Sequence, residues 1–226
     1  MVEGSPIVFV VDDDISVRES LHLLLRKQGW HPETFMSADE FLARPRQLVP
    51  SCLVLDFSLP GLNGLELQKR VAVELPFMPI IFLTGCGDIP MTVQAMKAGA
   101  VEFLTKPFAN ESLLSAIRNA IERSRVKLES EMEIRTLRAH YSALTMRERQ
   151  VMTLVVAGML NKQVGDELGI TEITVKFHRG NLMRKMKADS FAELMNMAAR
   201  LRIKASSMSK AQVVAREVST SKTELP

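Results

Sequence analysis

Cysteine is scarce in this sequence, with two in 226 residues. Cys52 and Cys86 have neither metal-ligand spacing nor the number that a disulfide framework needs, so both read as reduced thiols. Long apolar runs are also missing: nothing approaches the roughly 20 residues of a membrane span. The N-terminus lacks a basic region leading into an apolar core, and a cytoplasmic protein is the expectation. No Gly-x-Gly-x-x-Gly follows the first apolar run, which argues against a dinucleotide enzyme. What is present suffices for real cores, since 46% of the residues are hydrophobic and the length suits one or two domains. The formal net charge of +3 hides an asymmetry. Residues 1 to 121 hold 10 Lys and Arg against 14 Asp and Glu, whereas residues 122 to 226 hold 19 against 12. A basic second half suggests nucleic acid as its partner, a solvated basic surface being the plain alternative.

Four short apolar runs organise the first half: Ile7 to Val11, Cys52 to Leu55, Ile80 to Leu83 and Val101 to Leu104. Each is bounded by turn chemistry and reads as a strand buried on both faces of a parallel sheet. His31 to Phe35 makes a fifth. Between them, Ser16-x-x-Glu19 and Ser37-x-x-Glu40 read as capping boxes opening helices near 17 to 28 and 38 to 43. Gly64 to Glu74 and Pro90 to Ala98 read as helices, and Asn110 as the cap of another. Five βα units with right-handed crossovers predict a doubly wound α/β sheet in the order 2-1-3-4-5.

In such a sheet ligands bind beyond the carboxyl ends of the strands, and there stand Asp12, Asp13, Asp56, Thr84 and Lys106. Three carboxylates brought together repel one another unless a cation sits among them, so a hard divalent ion is implied. Magnesium suits Asp13, Asp56, a backbone carbonyl near Ser58 and several waters, with Asp12 acting through water. Asp56 as nucleophile toward a phosphoryl donor needs positive charge and donors already in place, which Lys106 and Thr84 supply. Any one of these residues has an ordinary explanation as a cap or a loop. Their combination at four strand ends is far more specific.

The segments Val-Asp-Asp-Asp (11 to 14), Leu-Asp-Phe-Ser-Leu-Pro-Gly-Leu-Asn-Gly (55 to 64), Leu-Thr-Gly (83 to 85) and Phe-Leu-Thr-Lys-Pro-Phe (103 to 108) resemble the receiver domain of two-component response regulators. Residues 87 to 108 are most similar to the FixJ/NarL-type group. The resemblance implies Asp56 as phosphoacceptor, Asp12 and Asp13 as the acid pair, and Thr84, Lys106 and Phe103 as switch residues. It further implies a cis bond before Pro107, a tuning role for Ser58 and Cys86, and Mg2+ or Mn2+ as the cofactor. Asp14 reads as a loop or helix-start residue rather than a ligand.

From Asn110 the helical pattern runs without Gly or Pro to about Ala139, longer than a globular helix needs. Leu114, Ile117, Ile121, Leu128 and Met132 lie near one stripe, which Ser124 and Arg125 interrupt, favouring a linker exposed to solvent over a coiled coil. Thr145-x-x-Glu148 is a further capping box, with Gly158 ending its helix; Asn161 can cap a second and Thr171 a third, and Gly169 permits the turn between those two. Ser190-x-x-Glu193 caps a fourth. Within the third helix no acid stands between Ile173 and Lys187. Its apolar residues Ile173, Phe177, Leu182 and Met186 are expected in the core, and its polar face toward DNA.

Leu144-Thr-x-Arg-Glu-Arg, Gly158, Asn161-Lys162, Leu168-Gly-Ile-Thr171, Thr174-Val-Lys176, His178 and Lys185-Met resemble the LuxR-type helix-turn-helix. Gly165 departs from the usual Ala and is expected to loosen its helix by about 0.5 to 1 kcal/mol; Glu172 adds a negative charge. Thr171, Thr174, Lys176, His178, Arg179 and Lys185 are the candidate DNA contacts, with His178 equally suited to packing. The expected organisation is a receiver at 5–121, a helical linker at 122–142, an all-α four-helix DNA-binding domain at 143–203 and a disordered tail at 204–226. The resemblance implies a bacterial transcription factor rather than a classical enzyme, phosphorylated by a sensor histidine kinase and acting on promoter DNA with RNA polymerase. Phosphorylation would favour a homodimer through the 90–98 face, with Val93 and Lys97 as contacts. An aspartyl-nucleophile phosphatase would leave the second half unexplained, and a protein-binding adaptor is the remaining alternative.

Overall fold

A computed structural model describes residues 5–45, 47–60, 64–85 and 89–203. The expected roles of Cys86 and of the 204–226 tail lie outside the described residues. The chain divides into two compact units, residues 1–131 and 132–226.

The first unit is a five-stranded parallel sheet of β1 (Ile7–Val11), β2 (His31–Phe35), β3 (Ser51–Asp56), β4 (Ile80–Thr84) and β5 (Glu102–Thr105), in the order β2-β1-β3-β4-β5. Alternate residues of each central strand enter opposite cores, as the pleat requires. Phe9, Leu53, Leu55 and Phe82 meet Phe41 of α2 (Ala38–Ala43), Leu67 of α3 (Gly64–Glu74) and Ala95 of α4 (Ile89–Lys97). Val8, Val10, Val54 and Ile81 meet Leu25 of α1 (Ile15–Lys27) and Leu113 and Ile117 of α5 (Asn110–Ser142). Trp30 packs against this second core. Burial on both sides explains why the strands read as unbroken apolar runs. Each fully buried Leu, Ile or Phe adds roughly 1.5–3 kcal/mol.

Several helix boundaries differ from the sequence reading. α1 starts at Ile15 because Asp14 is its cap, the Asp14 carboxylate accepting from the Ser16 amide at 2.8 Å; Ser16 is inside the helix. Asn110 is the first helical residue of α5, with the Ala109 carbonyl accepting from Ser112 and Leu113. Ser124, expected to face solvent, is fully buried, and its hydroxyl accepts from the Ser51 amide at the start of β3 at 3.1 Å. The interruption in the stripe is thus a polar anchor for the sheet, and Leu128 one turn later is buried too, while Met132 is exposed.

The second unit holds α6 (Met146–Val156), α7 (Asn161–Leu168), α8 (Glu172–Met186) and α9 (Phe191–Arg200) around a core of Val151, Met152, Val155, Val164, Val175, Leu182, Met186 and Leu194. Tyr141 packs on this core with the Arg149 guanidinium over its ring at 5.2 Å. The Thr145/Glu148 capping box opens α6 as its sequence predicts. α7 is capped differently: Leu160 holds the cap position, where the Gln163 side chain accepts from its amide at 2.9 Å. Gly169 ends α7 at φ 65°, a left-handed conformation that suits glycine. Gly165 does more than loosen its helix. A Cβ there would lie 2.7 Å from the Ile170 carbonyl oxygen, so the glycine lets the turn fold tightly back on α7.

Among the described residues, no helix is long and apolar enough to cross a membrane.

Candidate functional site

The strand-end residues converge. Asp12 follows β1, Asp56 ends β3 and Thr84 ends β4, and all three are buried. Parallel pairing sets them side by side, with Asp56 in register with Leu83 and Val11 with Leu55. Lys106, just after β5, reaches across the edge to donate to Asp12 Oδ2 at 2.8 Å and to Asp56 Oδ1 at 2.9 Å. Its own amide donates to the Thr84 carbonyl at 2.6 Å, and the peptide bond to Pro107 is cis, as the resemblance implies. The remaining Asp56 oxygen, Oδ2, accepts from the Ser58 amide at 3.2 Å. It is therefore the amide of Ser58 that is seen to touch the site.

Asp12, Asp13 and Asp56 can each place one oxygen within 4.8 Å of the others. Three carboxylates against one lysine leave the cluster with surplus negative charge. An all-oxygen carboxylate set this compact, completed by water, would suit a hard divalent ion, whose charge would offset the surplus. The triad is typical of a magnesium site. Partial burial alone would lower the Lys106 pKa; the hydrogen bonds and charges of Asp12 and Asp56 outweigh it and hold the ammonium above the ordinary lysine value. Lys106 is thus a fixed cation, as phosphoryl-transfer sites require. Phe103 is half-buried, its ring 6.0 Å from that of Phe57 and 6.1 Å from that of Phe82.

One residue of the pocket was absent from the sequence reading. Arg18, in the first turn of α1, donates through Nη1 to the Asp12 carbonyl at 2.7 Å and the Asp13 carbonyl at 2.9 Å. Together with the Asp14 amide, which donates to Asp12 Oδ1 at 2.9 Å, it fixes the acidic loop from behind. An arginine one turn into the helix that follows the acids was the available signal.

In the second unit α8 packs on α6 and α7. Thr171 caps α8, accepting from the Thr174 amide at 3.2 Å, and the two hydroxyls lie 2.8 Å apart. Lys176 is exposed and pairs with Glu172 one turn earlier at 3.0 Å; His178 is half-buried. Two more of the candidate contacts tie α8 to its neighbouring helices. Arg179 donates to Asn161 Oδ1 at 2.6 Å, tying α8 to α7, and lies over the Phe191 ring at 5.4 Å. Lys185 pairs at 2.7 Å with Glu148, itself 3% exposed. Burial would raise the Glu148 pKa; hydrogen bonds from Lys185 and from the Thr145 amide and hydroxyl overcome this and lower it. The larger departure concerns the apolar residues. Leu182 and Met186 are in the core, but Ile173 and Phe177 are 79% and 66% exposed.

Residues 8–118 match the response regulator receiver domain, and residues 142–198 match the luxR family of bacterial regulatory proteins. The chain is 50% identical over 207 residues to Nodulation protein W of Bradyrhizobium diazoefficiens, spanning 92% of this chain and 91% of that protein. It is 40% identical over 193 residues to the transcriptional regulatory protein FixJ of the same organism, spanning 85% and 94%. The chain is a response regulator of the FixJ group. This response regulator also resembles the solved structure of response regulator StyR, at a TM-score of 0.80 and 46% identity, covering 87% of the chain and 100% of that structure. It is thus a two-component, LuxR-type DNA-binding transcriptional regulator whose acidic pocket lies at the carboxyl edge of the sheet. A family of this kind works with a histidine kinase and with DNA rather than as a classical enzyme.

Proposed function

We propose that Asp56 accepts a phosphoryl group from a partner histidine kinase and that the acyl phosphate switches promoter binding. The observation that carries this reading is Lys106, held at 2.8 and 2.9 Å from Asp12 and Asp56 in a cluster with surplus negative charge. A carboxylate oxygen of Asp56 attacks the phosphorus of the kinase phosphohistidine. The O–P bond forms as the N–P bond breaks, and the imidazole leaves with the electron pair and takes a proton from water. Lys106 turns from the carboxylate to the phosphoryl oxygens, the Thr84 hydroxyl donates to one of them, and the Ser58 amide holds the acceptor oxygen in place. Asp13 and Asp56, the Ser58 carbonyl, and Asp12 through water would hold magnesium or manganese, whose charge offsets that of the incoming group. The same pocket then assists hydrolysis that resets the switch.

The signal leaves the pocket by Thr84 and Phe103. Movement of Thr84 toward the phosphoryl group gives the Phe103 ring room to turn further inward beside Phe57 and Phe82. A homodimer then forms through α4, where Val93 is exposed and Lys97 ends the helix. Residues 5–121 act as receiver together with the turns of α5 that carry the buried Ser124 and Leu128, the rest of α5 to 142 acts as linker, and 143–203 as DNA-binding domain of a cytoplasmic bacterial factor that recruits or blocks RNA polymerase. Thr171, Thr174, Lys176 and His178 face the duplex. Arg179 and Lys185 act chiefly by holding α8 against α7 and α6.

DNA selection with wild type and Asp56→Asn, each with and without acetyl phosphate, tests the reading. Wild type with the donor should enrich sites that neither Asp56→Asn nor the untreated protein enriches. Equal enrichment by all four samples would sink the switch.

A further inference from the structure

α8 presents an outer face that neither the core nor the charge pattern explains. Val175, Leu182 and Met186 turn one side of the helix into the core. At 3.6 residues per turn the opposite side carries Ile173, Phe177, Gly180 and Arg184. Ile173 and Phe177 are 79% and 66% exposed, so burying either against DNA or protein would be favourable. The His178 ring meets the Phe177 ring edge-on, with centroids 5.9 Å apart. Gly180 is the second oddity. A glycine inside a helix costs about 0.5 to 1 kcal/mol relative to alanine, yet a Cβ there would meet nothing within 4 Å. Packing inside the molecule does not require the glycine. A surface that must come close to this face would.

We infer that Ile173 and Phe177 read thymine methyl groups in the major groove, with Gly180 admitting the duplex. This rests on the promoter-binding reading above and names its chemistry. The C5 methyl of thymine is the apolar group that the major groove displays, and it is recognised by apolar side chains. Charge complementarity selects this occupant over a protein partner. No acid stands between Ile173 and Lys187; Arg184 closes the face, and Lys176, paired with Glu172 one turn earlier, can exchange that carboxylate for a phosphate beside the methyl groups. Ile173 and Phe177 are four residues apart, a rise of about 6 Å along the helix, and bases follow one another at 3.4 Å along a strand. Two thymines one or two steps apart in each half-site are therefore expected.

The test uses full-length protein treated with acetyl phosphate. Sites enriched by selection are remade with uracil in place of each thymine in turn, which removes the methyl and keeps the base pair. Loss of one buried methyl should weaken wild-type binding about four-fold at one or two positions of each half-site. Phe177→Ala should bind the thymine site more weakly and no longer distinguish it from the uracil site, whereas Phe177→Leu should restore part of the difference. Enriched sites bound equally well with uracil at every position would overturn the inference and leave promoter binding standing. A thymine-to-uracil ratio unchanged in both Phe177→Ala and Ile173→Ala would overturn it likewise. Recovery of no sites at all would overturn the promoter reading itself.

Discussion

Two lysines, one in each unit, make nearly the same contact and do opposite things. Lys106 lies 2.8 Å from one buried carboxylate and 2.9 Å from another. Lys185 lies 2.7 Å from the buried carboxylate of Glu148. Around Lys185 the account closes, since one cation meets one anion whose second duty, accepting from the Thr145 amide, is a helix cap. Around Lys106 it stays open, because one lysine faces a cluster of three carboxylates, Asp12, Asp13 and Asp56. A balanced pair builds structure; a surplus of one sign attracts a ligand.

The sharpest way to break the comparison is to remove each lysine. Lys185→Ala strands a buried anion and should destabilise the DNA-binding unit by about 3 kcal/mol, toward the low end for a buried pair because the lysine is partly exposed. Magnesium should not restore it. Lys106→Ala should destabilise the receiver in chelator and recover on adding magnesium, because the ion can take over the charge that the lysine offset. Thermal melts of the full chain with and without magnesium distinguish the two, and equal magnesium responses would refute the distinction.

A smaller effect comes from acid. The folded Glu148 pKa lies below its unfolded value, which is near 4.5. Its contribution is therefore complete above about pH 5 and is lost as pH falls through the lowered folded value. Hydrogen-exchange protection at α6, corrected for the intrinsic pH dependence of amide exchange, should fall across that window in wild type, and Glu148→Gln should flatten the dependence while starting from a less stable unit. A wild-type profile with no slope there would count against the pairing. The smallest effect separates structure from recognition within α8. Gly180→Ala should raise stability by about 0.5 to 1 kcal/mol and weaken binding to the selected duplex; tighter binding would show that the glycine makes no room for DNA.

The receiver pocket was legible because its rule is topological. Once the apolar runs are strands of a parallel sheet, Asp12, Asp56, Thr84 and Lys106 must share an edge, however far apart they are in sequence. What stayed hidden depended on partners that no local pattern announces. Ser124 looked like a flaw in a stripe, since the Ser51 amide it satisfies lies 73 residues away. The carboxylate that holds Lys185 was equally out of sight, since Glu148 is 37 residues off. The expectation that apolar residues go inside holds for Leu182 and Met186 and fails for the exposed Ile173 and Phe177. Gly165 read as a weakness in the absence of the Ile170 carbonyl that crowds it.

The placement of Trp30 and Tyr141 has a practical consequence. The chain has one tryptophan and one tyrosine; the first packs on the sheet unit's core and the second on the helical unit's. Each half therefore carries its own intrinsic chromophore. Near-ultraviolet spectra can report, without any label, which half loses its packing first and whether a phosphoryl donor changes that order.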